Sequence, residues 1–256
     1  VNANGSVTGI ITGGVGADTI TVNTNGTANA IATGLGDDVI TIANPGVITG
    51  TSGIPPVGID GGDGNDRLVV NSLNNTWSIG TSGTGGSVAN AATSTSTSFS
   101  GIEQYSSAVG GQDTLDLSAV TTNITINLDT LTGFSTVIGN NGGTTPANTL
   151  ISTITGRTGA DHVWYIGVVP LNNHSENNGT NDGQVYYGAS TPLSFINFNN
   201  LVGGSSPSGL NQNVFYITNT ASPYPVANGS FNGTLVGGAG ASNSIYARNA
   251  DSVWAL

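Results

Sequence analysis

Short apolar runs and glycine-rich turns alternate along most of the chain. Ile124, Ile126 and Leu128 fall on one face of a period-2 pattern, and Leu115 and Leu117 do the same. Such alternation is typical of half-buried β-strands, and no window sustains the i, i+3, i+4, i+7 pattern of an amphipathic helix. We therefore predict an all-β chain without helices.

Other segments depart from this regular alternation. Residues 80–98 are almost entirely Gly, Ser, Thr, Asn and Ala, so we predict a loop or a poorly packed edge there. The polar stretch 172–181 predicts an exposed loop, and His162, at the start of an apolar run, is expected to face solvent.

No stretch is typical of a linker between domains. We predict one continuous module over 1–256, with regular repeats over 1–75 and more degenerate repeats over 76–256.

One unit recurs in the first part of the chain: a Gly-rich turn, an Asp and a β-branched run. Its copies are residues 13–22 (GGVGADTITV), 33–42 (TGLGDDVITI) and 61–70 (GGDGNDRLVV). Asp18 and Asp38 are 20 residues apart, which suits one turn of a parallel β-helix built from short strands and tight corners. We predict a parallel β-helix, or β-solenoid, with irregular loop insertions. With turns rising by about 4.8 Å each, the rod would be roughly 50–60 Å long.

Charge and composition exclude several function classes. The 256 residues include three Arg, no Lys and no Cys, and the formal net charge is −11. Three cations cannot neutralise a run of phosphates, so we expect no nucleic-acid partner. No apolar run approaches the ~18 residues that a membrane span needs, so we expect no membrane insertion. Without Cys there is no disulfide, thiolate nucleophile or Cys-ligated metal.

The same composition bears on where the protein works. A chain without Lys, Cys and Met favours an extracellular location. It begins at Val1 with no leader-like segment, so we expect a mature product or a module of a longer protein.

The repeats carry a family resemblance. Residues 13–21 and 61–69 match every fixed position of the pattern G-G-x-G-x-D-x-U-x, where U is a large apolar residue, and residues 33–41 lack only the first Gly. The chain therefore resembles the haemolysin-type calcium-binding (repeats-in-toxin) family found within large bacterial surface and secreted proteins. Residues 99–103 and 198–204 are similar to connectors in such proteins.

The resemblance implies a calcium site. Its ligands would be Asp18, Asp38 and Asp66 with carbonyl oxygens of the Gly-rich turns, and Asp63 would be an extra ligand. Calcium takes six to eight oxygens, so the ion would lie between stacked turns. The residues at the U positions would point into the core; they are Ile20, Ile40 and Leu68.

The chain departs from the family because its nonapeptides are interrupted, with one motif per turn. At most one short calcium column would form, from the first three copies. The residues alone leave a second interpretation open: glycine supplies positive φ, and Asp accepts a hydrogen bond from a backbone N–H of the turn.

Candidate catalytic groups are few. His174 lies beside Glu176 in a polar segment, and the paired acids Asp37/Asp38 and Asp113/Asp116 each lie beside or within a repeat-type turn. Glycosidases need two carboxylates flanking a sugar cleft, but these pairs are better explained as turn residues. We expect no enzymatic activity.

We therefore expect an extracellular structural module: a rigid rod that self-associates or lies in tandem, as a filament, surface layer or adhesin stalk, stiffened by Ca²⁺. The strand-like segments Val7–Ile11 and Ser252–Leu256 would dock subunits end to end. One alternative is an adhesin module that binds extracellular glycans through Tyr186, Tyr187 and Tyr224. Another is the calcium-binding module of a secreted polysaccharide-active enzyme.

Overall fold

The chain is an all-β protein, as predicted. The computed structural model describes residues 1–44, 46–49, 58–90, 94–108, 110–140, 152–166, 183–187, 192–217, 231 and 233–247. Within these ranges the regular elements are strands and there is no helix. None of the described segments is therefore a helix that could cross a membrane.

The chain forms two compact units. The first comprises Val1–Thr121 with Leu131–Phe134, and the second comprises Thr122–Thr130 with Ser135–Leu256. The strands of the first unit are β1 (Ser6–Val15), β2 (Thr19–Val22), β3 (Thr27–Leu35), β4 (Val39–Ile42), β5 (Val47–Ile48), β6 (Gly58–Asp63), β7 (Arg67–Val70), β8 (Asn75–Ile79), β9 (Gly86–Asn90), β10 (Thr95–Ser100), β11 (Gln104–Ser107) and β12 (Asp113–Asp116). The single continuous module over 1–256 stays a prediction.

The strands of the second unit follow in chain order, with Phe134, the first residue of β14, assigned to the first unit. They are β13 (Ile124–Asn127), β14 (Phe134–Ile138), β15 (Ser152–Thr155), β16 (His162–Ile166), β17 (Gly183–Tyr187), β18 (Leu193–Ile196), β19 (Asn200–Val202), β20 (Gln212–Ile217), β21 (Thr234–Val236) and β22 (Ser242–Ala247).

Two strand arrays build the first unit. One runs in the order β1-β3-β6-β10-β9-β8-β12, with β5 beside β3, and the other is the four-stranded sheet β11-β7-β4-β2. Apart from the pairs that involve β9, these strands pair in parallel. The chain passes from the longer array to the four-stranded sheet in the steps β1 to β2, β3 to β4, β6 to β7 and β10 to β11, whereas the consecutive strands β8, β9 and β10 all lie in the longer array.

The prediction of a loop or a poorly packed edge at residues 80–98 holds for residues 80–85, which form a turn, but it is wrong for residues 86–90 and 95–98, which belong to strands β9 and β10. Strand β9 lies antiparallel between β8 and β10 and fills the array with Ser, Gly and Ala residues. Val88 is its one buried apolar side chain in the core. Small polar residues can therefore form a strand here because its neighbours on both sides satisfy the backbone hydrogen bonds.

The core of the first unit lies beneath the parallel strands. Ile31, Ile40 and Leu68 are fully buried. Trp77 is also fully buried, and its ring lies 5.8 to 6.0 Å from those of three aromatic neighbours: Phe99, Tyr105 and Phe134. The predicted inward orientation of Ile40 and Leu68 is confirmed, and Ile20 is half-buried because its strand β2 lies at the edge of its sheet.

The second unit repeats this construction with larger side chains. Its strands run in the orders β14-β18-β17-β16-β20-β22 and β13-β15-β19-β21. Strand β17 is antiparallel to both of its neighbours, and the other strands pair in parallel. Its core is aromatic, with buried Trp164, Phe195, Phe198 and Phe215.

Candidate functional site

An acidic column lies at one corner of the first unit. The first residues of β2, β4, β7 and β11 are paired in register, as Thr19 with Val39, Val39 with Arg67, and Arg67 with Gln104. The residue that precedes each of these strands is acidic. These residues, which we call the acid column, are Asp18, Asp38, Asp66 and Glu103.

The carboxylates of the second, third and fourth members of the acid column each accept a hydrogen bond from the backbone N–H of the preceding member. The Asp18 N–H donates to Asp38 Oδ1 at 2.7 Å, and the Asp38 N–H donates to Asp66 Oδ1 at 2.8 Å. The Asp66 N–H donates to Glu103 Oε2, also at 2.8 Å. These bonds use a backbone N–H donor, as the second interpretation of the sequence expected, but the donor lies 20 to 37 residues away, in a neighbouring turn rather than in the same one.

The second carboxylate oxygen of each Asp in the column lacks the hydrogen bond that the first oxygen of Asp38 and of Asp66 accepts. Oδ2 of Asp18, Asp38 and Asp66 is buried in each case and has no hydrogen-bond partner. Asp38 and Asp66 are themselves fully buried. Burial raises the pKa of the Asp66 carboxyl; the Asp38 N–H opposes this rise, and the carboxylates of Asp38 and Glu103 add to it. Three buried oxygen atoms in one column are therefore left without a donor.

Glycines open space beside two of these oxygens. A Cβ at Gly13 would lie 2.4 Å from Thr33 O and 2.5 Å from Asp18 Oδ2. A Cβ at Gly61 would lie 1.9 Å from Gly101 O and 2.8 Å from Asp66 Oδ2. Each glycine thus leaves a cradle that is lined by a carboxylate oxygen and a carbonyl oxygen.

The middle copy of the repeat is built differently. Thr33 replaces the first Gly, is fully buried, and its hydroxyl donates to Gly61 O at 2.6 Å. The side chain occupies the position that is empty in the other two copies. The one departure from the repeat pattern within residues 33–41 is therefore a substitution that supplies its own hydrogen bond.

Oxygen donors of this kind fit Ca²⁺, which is a hard cation. The acids follow one another along the column, and the described residues contain no group of three or more His, Cys, Asp or Glu side chains that converge on one point. A cation here would be held by one carboxylate, backbone carbonyls and water.

Close approach explains the central glycines of the repeats. A Cβ at Gly34 would lie 2.3 Å from Gly14 O, and a Cβ at Gly62 would lie 2.0 Å from Gly34 O. Both residues also have positive φ. The glycines let successive turns stack closely enough for the acid column to form its hydrogen bonds.

The sequence prediction located three of the four members of this column. Asp63 lies outside it: it is exposed at the end of β6 and is in register with Leu35. Glu103 was missed as a site residue because no Gly-rich turn precedes it. The sequence feature that could have identified Glu103 is its position directly before a strand, β11. Its alignment with Asp66 follows from the pairing of β11 with β7.

Asp113 also lies outside the column, although a degenerate repeat predicted its turn. It is in a different strand array and accepts hydrogen bonds from Ser107 Oγ at 2.6 Å and from the Asn75 N–H. Burial raises the pKa of its carboxyl, and these hydrogen bonds oppose the rise. Asp116, its supposed partner, accepts from the Ser118 N–H. Both acids have local structural contacts.

The second unit has a neutral counterpart of the acid column. His162, Asn213 and Asn243 are in register at the starts of β16, β20 and β22. His162 Nε2 accepts from the Arg157 N–H at 2.8 Å, and Asn213 Oδ1 accepts from the Gly204 N–H at 2.9 Å. Asn213 Nδ2 in turn donates to Asn243 Oδ1 at 2.9 Å. We call these three residues the neutral column.

His162 is not the solvent-facing residue that was predicted; it is fully buried. Burial lowers the pKa of its imidazole, which keeps Nε2 available as an acceptor. Asp161 is the exposed neighbour, and it accepts from the Gln212 N–H at 2.9 Å. The other histidine, His174, lies outside the described residues, as do Glu176, Tyr224 and Ser252–Leu256.

No protein-family model, curated protein or solved structure matches this chain.

Proposed function

We propose that the chain is an extracellular structural module of a bacterial surface protein. In this proposal it is a β-solenoid whose stacked coils form a rigid, self-associating rod that Ca²⁺ stiffens, and its role is mechanical rather than catalytic. The observation that carries the proposal is the acid column, in which four successive corners are joined by hydrogen bonds between residues 20 to 37 positions apart.

The order of the strands supports a solenoid. In the pairs β1/β2, β3/β4, β6/β7 and β10/β11, the first strand belongs to the longer array and the second to the four-stranded sheet. Each strand then pairs with its counterpart from another pair, mostly in parallel and in register. A polypeptide that winds through two sheets in this way adds one coil with each pair of strands.

The contrast between the two columns supports a bound cation. In the neutral column Asn213 and Asn243 accept backbone N–H bonds without carrying charge. In the acid column the acceptors are carboxylates that bond to the N–H of the preceding acid, which places charges close together on a chain whose net charge is −11. Buried carboxylates cost free energy unless an opposite charge compensates them.

Calcium would supply that opposite charge. Asp18 Oδ2 with Thr33 O, and Asp66 Oδ2 with Gly101 O, would contribute the protein ligands. Asp38 would act by holding its two neighbours in register through its hydrogen bonds. The ion would neutralise the column and tie adjacent coils together.

Self-association is supported by strand β1. Among the described strands it pairs with β3, and its opposite edge is open. It carries exposed apolar side chains, with Ile10 46% and Val15 86% exposed. A long, apolar, unpaired edge is a template for another strand. The predicted docking segment Val7–Ile11 lies within it, and its predicted counterpart Ser252–Leu256 lies outside the described residues.

Lysine substitutions on this edge test the proposal. Ile10→Lys and Val15→Lys place a charge at positions where a docking strand would lie, and Leu210→Lys makes the same change of charge at another exposed apolar residue, which is 83% exposed. Sedimentation velocity and electron microscopy should show assembly of the wild type and of Leu210→Lys, but not of the edge variants. A monomeric wild type, or edge variants that assemble normally, would contradict the proposal.

A further inference from the structure

A row of tyrosines crosses the outer face of the second unit. Tyr165, Tyr216 and Tyr246 are in register on the adjacent strands β16, β20 and β22. The residues before them on β16 and β20 are Trp164 and Phe215, which are buried in the core. Because side chains alternate along a strand, the three tyrosines point away from that core. We call them the tyrosine ladder.

The rings of the ladder stack on one another. The ring centroids of Tyr165 and Tyr216 are 5.3 Å apart with planes inclined by 13°, and those of Tyr216 and Tyr246 are 5.0 Å apart with an inclination of 16°. Tyr186, on β17, meets Tyr165 edge to face at 5.7 Å. Stacking against neighbours fixes the rings and lowers the entropy that a ligand would have to remove on binding.

The ladder is accessible although it is aromatic. Tyr165 is 36% exposed and Tyr246 is 52% exposed. Among the described residues, no ring covers the face of Tyr246 that points away from Tyr216. Burial and the neighbours Tyr216 and Tyr186 raise the pKa of Tyr165, so its hydroxyl remains a neutral donor and acceptor.

The strands around the ladder carry no charge on the ladder's face. The exposed Asp161 lies directly before β16, at the end of that face, where it accepts from the Gln212 N–H. On the strands β16, β17, β20 and β22, the described residues on the same face as the ladder are all uncharged; apart from the ladder they are Val163, Gln184, Tyr186, Gln212, Val214, Ser242 and Ser244. The Tyr186 hydroxyl donates to Gln184 Oε1 at 3.4 Å. A strip that combines aromatic faces, hydroxyls and amides without charge, on a chain of net charge −11, matches an uncharged partner that has many hydroxyl groups.

We propose that the tyrosine ladder binds a neutral, extended polysaccharide that lies across the strands. A pyranose ring packs its C–H face on the free face of Tyr246, and the following sugars place hydroxyls beside the phenols of Tyr216 and Tyr165. Neighbouring strands repeat at about 4.8 Å, which is close to the length of one sugar in an extended β-linked chain. The inference goes beyond the structural role and does not depend on it.

Affinity electrophoresis of the full chain tests this binding. The probes are hydroxyethylcellulose as the neutral polysaccharide and polygalacturonate as the acidic one. We expect the wild type to be retarded by hydroxyethylcellulose only, and its dissociation constant to rise about tenfold or more in Tyr216→Ala and in Tyr246→Ser. Leu210→Ala, at an exposed apolar residue outside the ladder, should bind like the wild type.

Two further measurements separate binding from folding and from self-association. Melting temperatures identify a variant that has unfolded, and Tyr246→Ser, at an exposed position, decides the case if Tyr216→Ala unfolds. The proposal is overturned if the wild type does not bind hydroxyethylcellulose, if it prefers polygalacturonate, or if the folded ladder variants bind equally well. It is also overturned if those variants lose self-association in sedimentation velocity, because the ladder would then be a contact between copies of the chain.

Discussion

Replacing Asp66 by Asn should stabilise the chain when divalent cations are removed. Asp66 is fully buried, and its Oδ1 accepts the Asp38 N–H while its Oδ2 has no partner. An asparagine keeps the acceptor and removes a buried negative charge between two other acids. The neutral column shows that an amide performs this task elsewhere in the molecule, where Asn213 accepts from the Gly204 N–H.

The size of the effect follows from the unpartnered oxygen. A buried polar atom without a hydrogen bond costs about 1–3 kcal/mol. The Nδ2 group that replaces Oδ2 is a donor and can use an acceptor such as Gly101 O in the same cradle, so we expect a net gain of about 1 kcal/mol, at the low end of that range. For a chain of roughly this length that corresponds to an increase of about 2–4 °C in the melting temperature.

The assay is thermal unfolding in a chelator and again in excess calcium. In chelator, Asp66→Asn should melt above the wild type. In calcium the wild type should gain stability by mass action, by about 2.7 kcal/mol at one hundred times the dissociation constant. The variant should gain less, because it has lost the carboxylate next to Gly101 O.

The pH dependence in chelator has a definite sign. Burial raises the folded-state pKa of Asp66 above its ordinary value, so the folded state holds the proton more tightly than the unfolded state. The stability of the wild type should therefore fall as the pH rises through this folded-state pKa. The advantage of Asp66→Asn should be largest at neutral pH and should disappear near pH 4.

Asp37→Asn is the matched control. Asp37 is exposed, and its Oδ1 accepts the Asn65 N–H at 3.0 Å, so the substitution keeps the same kind of bond at a solvated acid. Its melting temperature should change little in either buffer. If Asp66→Asn melts below the wild type in chelator while Asp37→Asn does not, the idea of an uncompensated buried charge is refuted.

Further predictions concern packing and pH. Gly62→Ala should cost about 3 kcal/mol or more in urea unfolding, because its Cβ would lie 2.0 Å from a carbonyl oxygen at positive φ, whereas Gly9→Ala, with open space around it, should cost far less. Trp77→Ala should cost about 3–5 kcal/mol by the same measurement, since the side chain is fully buried; a loss below 1 kcal/mol would contradict the described core. Because burial lowers the pKa of His162, the stability of the wild type should fall as the pH drops below about 6.5. Melting temperatures measured between pH 7 and pH 5 should show that His162→Gln loses this pH dependence. An unchanged dependence in the variant would show that another group titrates.

The sequence was sufficient to predict the structure at those turns where only glycine fits the backbone geometry. The alternating apolar runs predicted the all-β class, and the structure confirms it. The spacing of the Gly-Asp turns predicted that Asp18, Asp38 and Asp66 would line up, and strand register places them in one column. Such turns are predictable because positive φ and close backbone approach restrict the choice of residue.

The features that could not be predicted from the sequence depend on contacts between segments that are far apart along the chain. Glu103 completes the acid column without a Gly-rich turn, and only the pairing of β11 with β7 aligns it with Asp66. The Asn residues of the neutral column were missed because an amide replaces the expected carboxylate. Strand β9 was missed because its residues have weak β-propensity and it is held by its neighbours.

X-ray fibre diffraction from aligned assemblies of the wild-type chain tests the stacking of coils most directly. If the coils stack along the rod and the rods join end to end through β1, the reflection at about 4.8 Å should lie along the filament axis. A reflection of that spacing perpendicular to the axis, or a chain that forms no assemblies with or without calcium, would contradict the account.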